Sequence, residues 1–215
     1  MEVSLKQATK KLDLISARRE RLIKESRDII ALSAKTIISI HTSDFETAKD
    51  LSDQAKKKLE ELRGVAGSDL IRYILMPEQE YVESSVMVAV FKRKQIPSLG
   101  KLGVTPSSYI LGLLDAIGEL KRSVYDNIRK DQIKLAEERF AIMEALYVML
   151  SPFAVYDNIV QGIKRKLDVS RILIEDTRSA ITEEVRRNEF MTAVSNLSTK
   201  LGLAPNNDEM REIKK

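Results

Sequence analysis

The sequence has no cysteine, no tryptophan and one histidine, His41, among 215 residues. Without thiols there is no disulfide framework, no thiolate metal site and no thiol nucleophile. A ferritin-like di-iron bundle needs two Glu-x-x-His motifs, and position 38 is Ile, so that class is excluded. His41 lies beside Thr42 and Ser43 where a helical pattern ends, which marks it as a helix-end residue. Proline (five) and glycine (eight) are scarce, aromatics make up 5%, and no alternating strand pattern or glycine-rich phosphate loop is present. No apolar run approaches the ~20 residues a bilayer span requires. Met1-Glu-Val-Ser-Leu-Lys lacks the apolar core of a signal peptide. The expectation is a soluble, cytoplasmic protein with no membrane contact.

What is present is charge and helical periodicity. Charged residues make up 32% and hydrophobic ones 43%, a profile of all-helical proteins. The pattern predicts an all-α single domain of about seven long antiparallel helices over residues 1–203, with a polar tail at 204–215 expected to be disordered. The first helix should span residues 4–40, about 55 Å at 1.5 Å per residue. Ser43-Asp-Phe-Glu46 has capping-box spacing and should open a second helix that Gly64 ends. A third should carry Pro77 as a kink or a fresh start. A fourth should open at Thr105-Pro106 and run to residue 129. A fifth, capped by Asp131, should end at Ser151-Pro152. A sixth should cover 157–188, and a shorter seventh 189–201.

Two acidic pairs stand out. On the fourth helix Ile110, Leu113, Leu114, Ile117, Leu120 and Val124 cover one broad side, leaving a narrow strip of Ser108, Gly112, Asp115, Ala116 and Glu119. On the third, Glu80 and Glu83 share a face, with Val82, Val86, Val90 and Phe91 behind them. Two readings stay open from spacing alone. The pairs are solvated surface, or they converge into a four-carboxylate cluster suited to hard Mg²⁺ or Mn²⁺.

The formal net charge is only +4, but it is unevenly spread. Residues 4–27 hold eight basic side chains against three acidic ones. Arg18, Arg19, Arg21, Lys24 and Arg27 are the main candidates for contacting phosphates, with Arg19 expected inside the apolar seam. Lys164, Arg165 and Lys166 form a second, weaker candidate patch. Either patch reads equally as a solvated helix face or as a track for a polyanion. Residues alone therefore support a helical bundle with a metal or polyanion function, or a helical scaffold with neither.

Three blocks stand together: Ala17-Arg-Arg-Glu-Arg-Leu-Ile-Lys-Glu-Ser-Arg-Asp-Ile-Ile30, Glu80-Tyr-Val-Glu83 and Tyr109-Ile-Leu-Gly-Leu-Leu-Asp-Ala-Ile-Gly-Glu-Leu120. In this order they resemble the translin family, and specifically its translin-associated factor X (TRAX) branch. The resemblance implies a fold of about seven helices whose subunits close into a hollow, typically octameric shell that binds nucleic acid inside. Glu80, Glu83, Asp115 and Glu119 match the acidic residues of the TRAX Mg²⁺-dependent endoribonuclease centre, which acts on nicked passenger strands. The implied function is metal-dependent RNA cleavage within a homo-octamer, with Mg²⁺ or Mn²⁺ as cofactor. Glu80, Glu83 and Asp115 would be the ligands, and Glu119 a fourth ligand or a water-orienting group. The alternative is a non-catalytic, translin-like protein that binds single-stranded RNA or DNA. A short connection at 92–105, where TRAX carries a long insertion, and the lack of an extended basic N-terminal tail resemble a compact prokaryotic, archaeal form acting without a separate translin subunit.

Overall fold

The computed structural model describes residues 1–202; the expected tail at 204–215 lies outside the described residues. Among those residues there are seven α-helices, one of them a single turn, and no strand.

Helix α1 (Glu2–His41) buries Leu22, Ser26, Ile29, Ser33, Thr36, Ile37 and Ile40, a run at spacings of three and four that forms one face. That seam begins only at Leu22, so the first half of the helix projects beyond the bundle with Val3, Leu5, Leu12 and Leu14 exposed. Helix α2 (Phe45–Ala66) packs along α1 through Ala48, Ala55, Leu59 and Leu62. Its cap is Asp44, whose carboxylate accepts from Thr47 N at 3.1 Å, whereas Ser43 sits at φ 63 inside the turn. The expected capping box is thus displaced by one residue. Gly64 stays within α2, and termination falls to Gly67 at φ 58.

After a 3₁₀ turn (Ile71–Tyr73), Pro77 lies in the first turn of α3 (Leu75–Phe91), where its missing N–H removes no helical bond. Helix α3 is buried nearly all round and packs between α1 and α5 (Pro106–Arg129). A single turn, α4 (Leu99–Leu102), links α3 to α5. Thr105 caps α5 as expected, accepting from Ser108 N at 3.4 Å. Helix α6 (Ile133–Leu150) follows without a side-chain cap, because Asp131 is itself turned to φ 57. The expected sixth and seventh helices are one, α7 (Ile163–Lys200), since no glycine or proline breaks the chain near residue 188. Its last buried residue is Ile181, and beyond it Phe190, Met191 and Leu197 are exposed.

The stretch Ile133–Tyr156 is long and apolar enough by length and composition alone to cross a membrane, although Lys134, Glu137, Glu138, Arg139 and Glu144 interrupt its apolar run. Part of it is committed to the bundle. Phe140, Met143, Leu146 and Leu150 are buried, and Arg139 donates to Val90 O at 2.9 Å.

A buried carboxylate fixes the end of α2 and the starts of α3 and α5. Glu78, 1% exposed, accepts from Arg63 Nε at 2.9 Å through Oε1. Its Oε2 accepts from Thr105 N at 2.8 Å and Thr105 Oγ1 at 2.7 Å. Ser108 Oγ then donates to Leu75 O at 3.0 Å.

Helices α3 and α5 meet at closest approach on Gly112. A Cβ there would lie 2.6 Å from Gln79 O and 2.7 Å from Val82 Cβ. At Gly118, on the same helix, an added Cβ meets only Leu173 Cδ1 at 4.0 Å. Glycine to alanine inside a helix ordinarily stabilises by up to about 1 kcal/mol. Gly118→Ala should follow that rule, while Gly112→Ala should reverse it by about 2 kcal/mol through overpacking. Urea denaturation of the two variants checks this, and equal stabilisation by both would contradict the close approach.

Candidate acidic site

The approach at Gly112 determines which polar groups meet. One turn C-terminal on α5 is Asp115, and two turns on is Glu119; Gln79, Glu80 and Glu83 lie opposite on α3. The strip that the sequence wheel leaves polar is not a solvent face. Ser108, Gly112 and Ala116 are buried against neighbouring helices, and Asp115 and Glu119 are half-buried. Gln79 Nε2 donates to Asp115 Oδ2 at 2.5 Å. Lys166 from α7 donates to the other oxygen, Asp115 Oδ1. A hollow of about 400 Å³ between α5 and α7 opens beside this pair, with Asp115, Gly118, Arg165, Lys166 and Ser170 on its walls.

The field among the carboxylates is strong. Burial, followed by the charges of Asp115, Glu80 and Glu119, pushes the Glu83 carboxyl up to about 8. Glu80 is raised as well, by burial and then by Asp115, with Lys166 opposing. Glu119 shifts the other way, because His41 hydrogen-bonds its charged form. His41 Nε2 is 2.9 Å from Glu119 Oε2, and Nδ1 is 3.5 Å from Asp126 Oδ2. The imidazole also stands edge-on to Phe91 at 5.8 Å. His41 does end α1, as its position in the sequence suggests, but its side chain reaches the acidic site.

Glu80, Glu83, Asp115 and Glu119 are thus drawn into one electrostatic neighbourhood. Among the described residues, however, no three carboxylate or imidazole groups are gathered as a ready cage for an ion. The donors fit a hard divalent cation in chemistry: all are oxygens, and Glu83, raised first by burial and then by the charges of Asp115, Glu80 and Glu119, lies in a field of excess negative charge. Glu80, Glu83 and Asp115 would hold such an ion, with Lys166 released from Asp115.

The basic candidates divide. Arg18 is spent on the fold, donating to Val65 O at 3.0 Å, Ala66 O at 2.8 Å and Asp69 Oδ1 at 2.5 Å. Arg19 is exposed, not in the seam, and lies over Tyr73 while donating to its hydroxyl at 2.8 Å. Arg21 pairs with Glu25 at 2.7 Å. Lys24, Arg27, Lys164 and Arg165 are exposed, whereas Lys166 faces the acidic site.

A profile described as Translin family matches residues 17–176. The chain belongs to the translin family. An uncharacterised protein of Methanocaldococcus jannaschii is 35% identical over 166 residues, 76% of this chain and 74% of that protein. A structure described as an AfC3PO–duplex RNA complex superposes with TM-score 0.79 at 28% identity, over 86% of this chain and 97% of that one. AfC3PO alone gives 0.79 at 29% identity, over 86% and 98%. Apo-NeC3PO, 21% identical, shares the fold with TM-score 0.77 over 84% and 96%.

In this translin-family chain the sequence reading missed three groups that touch the acids: Gln79, His41 and Lys166. Gln79 could have been found, since it lies one turn before Glu83. The roles of His41 and Lys166 depend on helix ends and crossings that no local pattern records.

The raised Glu83 carboxyl has a definite pH consequence. The unfolded chain loses this proton near 4.5 and the folded chain only near 8, so stability falls as pH rises between those values and is level above. Glu83→Gln does not titrate. In EDTA it should match wild type at pH 4 and exceed it by about 2 kcal/mol at pH 9, allowing for partial solvent screening. Parallel denaturation curves across that range would contradict the assignment.

Proposed function

We propose that this protein is an RNA-binding, divalent-metal-dependent endoribonuclease of the TRAX type that works within a self-associated shell. The single observation that carries the reading is the convergence of Glu80, Glu83 and Asp115 at the α3–α5 crossing, with Glu83 driven toward its protonated form. Support from outside the chain comes from AfC3PO, whose likeness to it extends to a structure with duplex RNA. The exposed apolar residues on the projecting ends of α1 and α7 support self-association, for which we propose an octamer.

In this reading Glu80, Glu83 and Asp115 would hold Mg²⁺ or Mn²⁺. Bound there, the ion would supply Lewis acidity and a water of lowered pKa. Glu119, its carboxylate held by His41 Nε2 at 2.9 Å, would orient a water at the site. Lys166 is the built-in counter-ion of the unloaded site. Released from Asp115, its ammonium is available to a phosphate oxygen in the hollow between α5 and α7. Arg165 on the wall of that hollow, with Lys164, Lys24 and Arg27, supplies positive charge for the RNA backbone. No side chain has to act as a nucleophile, which suits a protein with one histidine and no cysteine.

The test is cleavage of one labelled RNA with Mg²⁺ or EDTA, using variants matched to wild type in oligomer mass. Asp115→Asn keeps shape and removes a ligand charge, so RNA binding should persist while cleavage falls by about a hundredfold or more. Lys166→Met should raise affinity for Mn²⁺, read by thermal shift, and lower cleavage. A merely structural lysine would lower both. Cleavage by Asp115→Asn equal to wild type would leave the binding-only, translin-like reading.

A further inference from the structure

Much of the basic charge on the long helices is spent inside the chain. Lys6, Arg18, Arg19 and Arg21 of α1 pair with Glu2, Asp69, Glu20 and Glu25. Lys166, Arg171, Arg178 and Arg187 of α7 pair with Asp115, Asp168, Glu144 and Glu184. A different region gathers cations without comparable opposition. A pocket of about 580 Å³ lies between α2, α3 and the 92–105 connection, and Lys49, Lys56, Lys92, Lys94 and Lys101 stand around it. Asp53 is the one carboxylate among its lining residues. Only Lys56 is in an ion pair among the described residues, a loose one with Glu60 at 3.9 Å.

The backbone carrying these lysines is held in place. Arg93, at φ 51, turns the chain sharply at the end of α3, and Lys94 N donates to Ala89 O at 2.8 Å. Tyr109 Oη donates to Pro97 O at 2.9 Å, anchoring the connection to α5. Ser98 caps α4, with Lys101 N donating to Ser98 Oγ at 3.4 Å. On α2, Lys49, Ser52, Asp53 and Lys56 follow helical spacing and face the same space. The floor is different in character. Val88, Ala89, Pro97 and Leu102 are apolar, and Tyr81 with Ser85 adds hydroxyls beside them.

Lysine ammonium groups facing one another repel, and a multiply charged anion relieves that repulsion. Lysines are point charges on flexible stems, which suits phosphates of no fixed orientation. An apolar floor with hydroxyls at hand suits a planar, hydrogen-bonding body attached to those phosphates. The volume lies within the range of small-molecule sites. The stripe of Tyr81, Ser85 and Val88 lies on roughly the opposite side of α3 from Glu80 and Glu83, so this pocket is distinct from the acidic site.

We propose that the lysine-ringed pocket binds a nucleotide unit, its phosphates on Lys49, Lys92, Lys94 and Lys101 and its base on the Val88–Pro97–Leu102 floor. The unit is either a free nucleotide or one nucleotide of an RNA strand. The proposal does not rest on the nuclease reading, and EDTA keeps the two separate by preventing metal-dependent cleavage.

The test is calorimetric titration of the full chain in EDTA at low salt with ATP, inorganic tripolyphosphate and a short single-stranded RNA. ATP should bind more tightly than tripolyphosphate, and its affinity should fall with added salt. Lys94→Ala/Lys101→Ala, at exposed positions where folding is not at stake, should weaken ATP binding about tenfold or more. Lys10→Ala/Lys11→Ala removes the same charge elsewhere and should leave it unchanged. If RNA displaces ATP, the natural occupant is a nucleotide of the strand; if it does not, it is the free nucleotide. Absence of ATP binding, equal binding of tripolyphosphate, or an unaffected Lys94→Ala/Lys101→Ala variant would overturn the proposal.

Discussion

Where α5 crosses α3, the carbonyl of Gln79 occupies space that any side chain at residue 112 would need. This contact sets the register between the two helices, and the register sets the site. With Gly112 against Gln79 and Val82, the next turn of α5 places Asp115 within reach of the Gln79 amide. From there Asp115 contributes to the fields that raise Glu80 and Glu83. Widening the crossing would weaken that coupling. The Glu78 clamp on Arg63 and Thr105 acts at the same end of both helices, holding their first turns together.

Such a site is held in tension. Each carboxylate brought to the crossing repels the others, and two neighbouring side chains limit the penalty. Lys166 neutralises Asp115, and the hydrogen bond from His41 favours ionised Glu119. Glu83 is raised first by burial and then by the charges of Asp115, Glu80 and Glu119, with the more distant field of Lys166 only partly opposing them. Together these define a site short of positive charge, where a divalent cation has more to offer than a monovalent ammonium.

Much of the architecture was legible in the sequence, because helices longer than three turns impose their period on it. The extents of α1 and α5, the Thr105 cap and the buried side of α5 follow directly from residue spacing. Caps one residue away from their expected position, at Asp44 and at Gln132, escaped because backbone turns at Ser43 and Asp131 use positive φ without glycine. The expected division at residues 188–189 has no counterpart, since every residue from 186 to 189 tolerates a helix and α7 runs through them. At the site, the four carboxylates were legible as two pairs, but spacing cannot reveal which basic residue answers them. Lys166 was read as part of an external patch, and only the α5–α7 crossing turns it inward.

The proton held by Glu83 at the α3–α5 crossing and the proposed cation compete for the same carboxylate. Isothermal titration with Mn²⁺ in two buffers of different ionisation enthalpy counts protons released on binding. At pH 7, below the value of about 8 for Glu83, wild type should release about one proton per ion. Release should fade above pH 9, and Glu83→Gln should release none at either pH. Mn²⁺ binding to wild type at pH 7 with no proton released, or with the same release from Glu83→Gln, would contradict it.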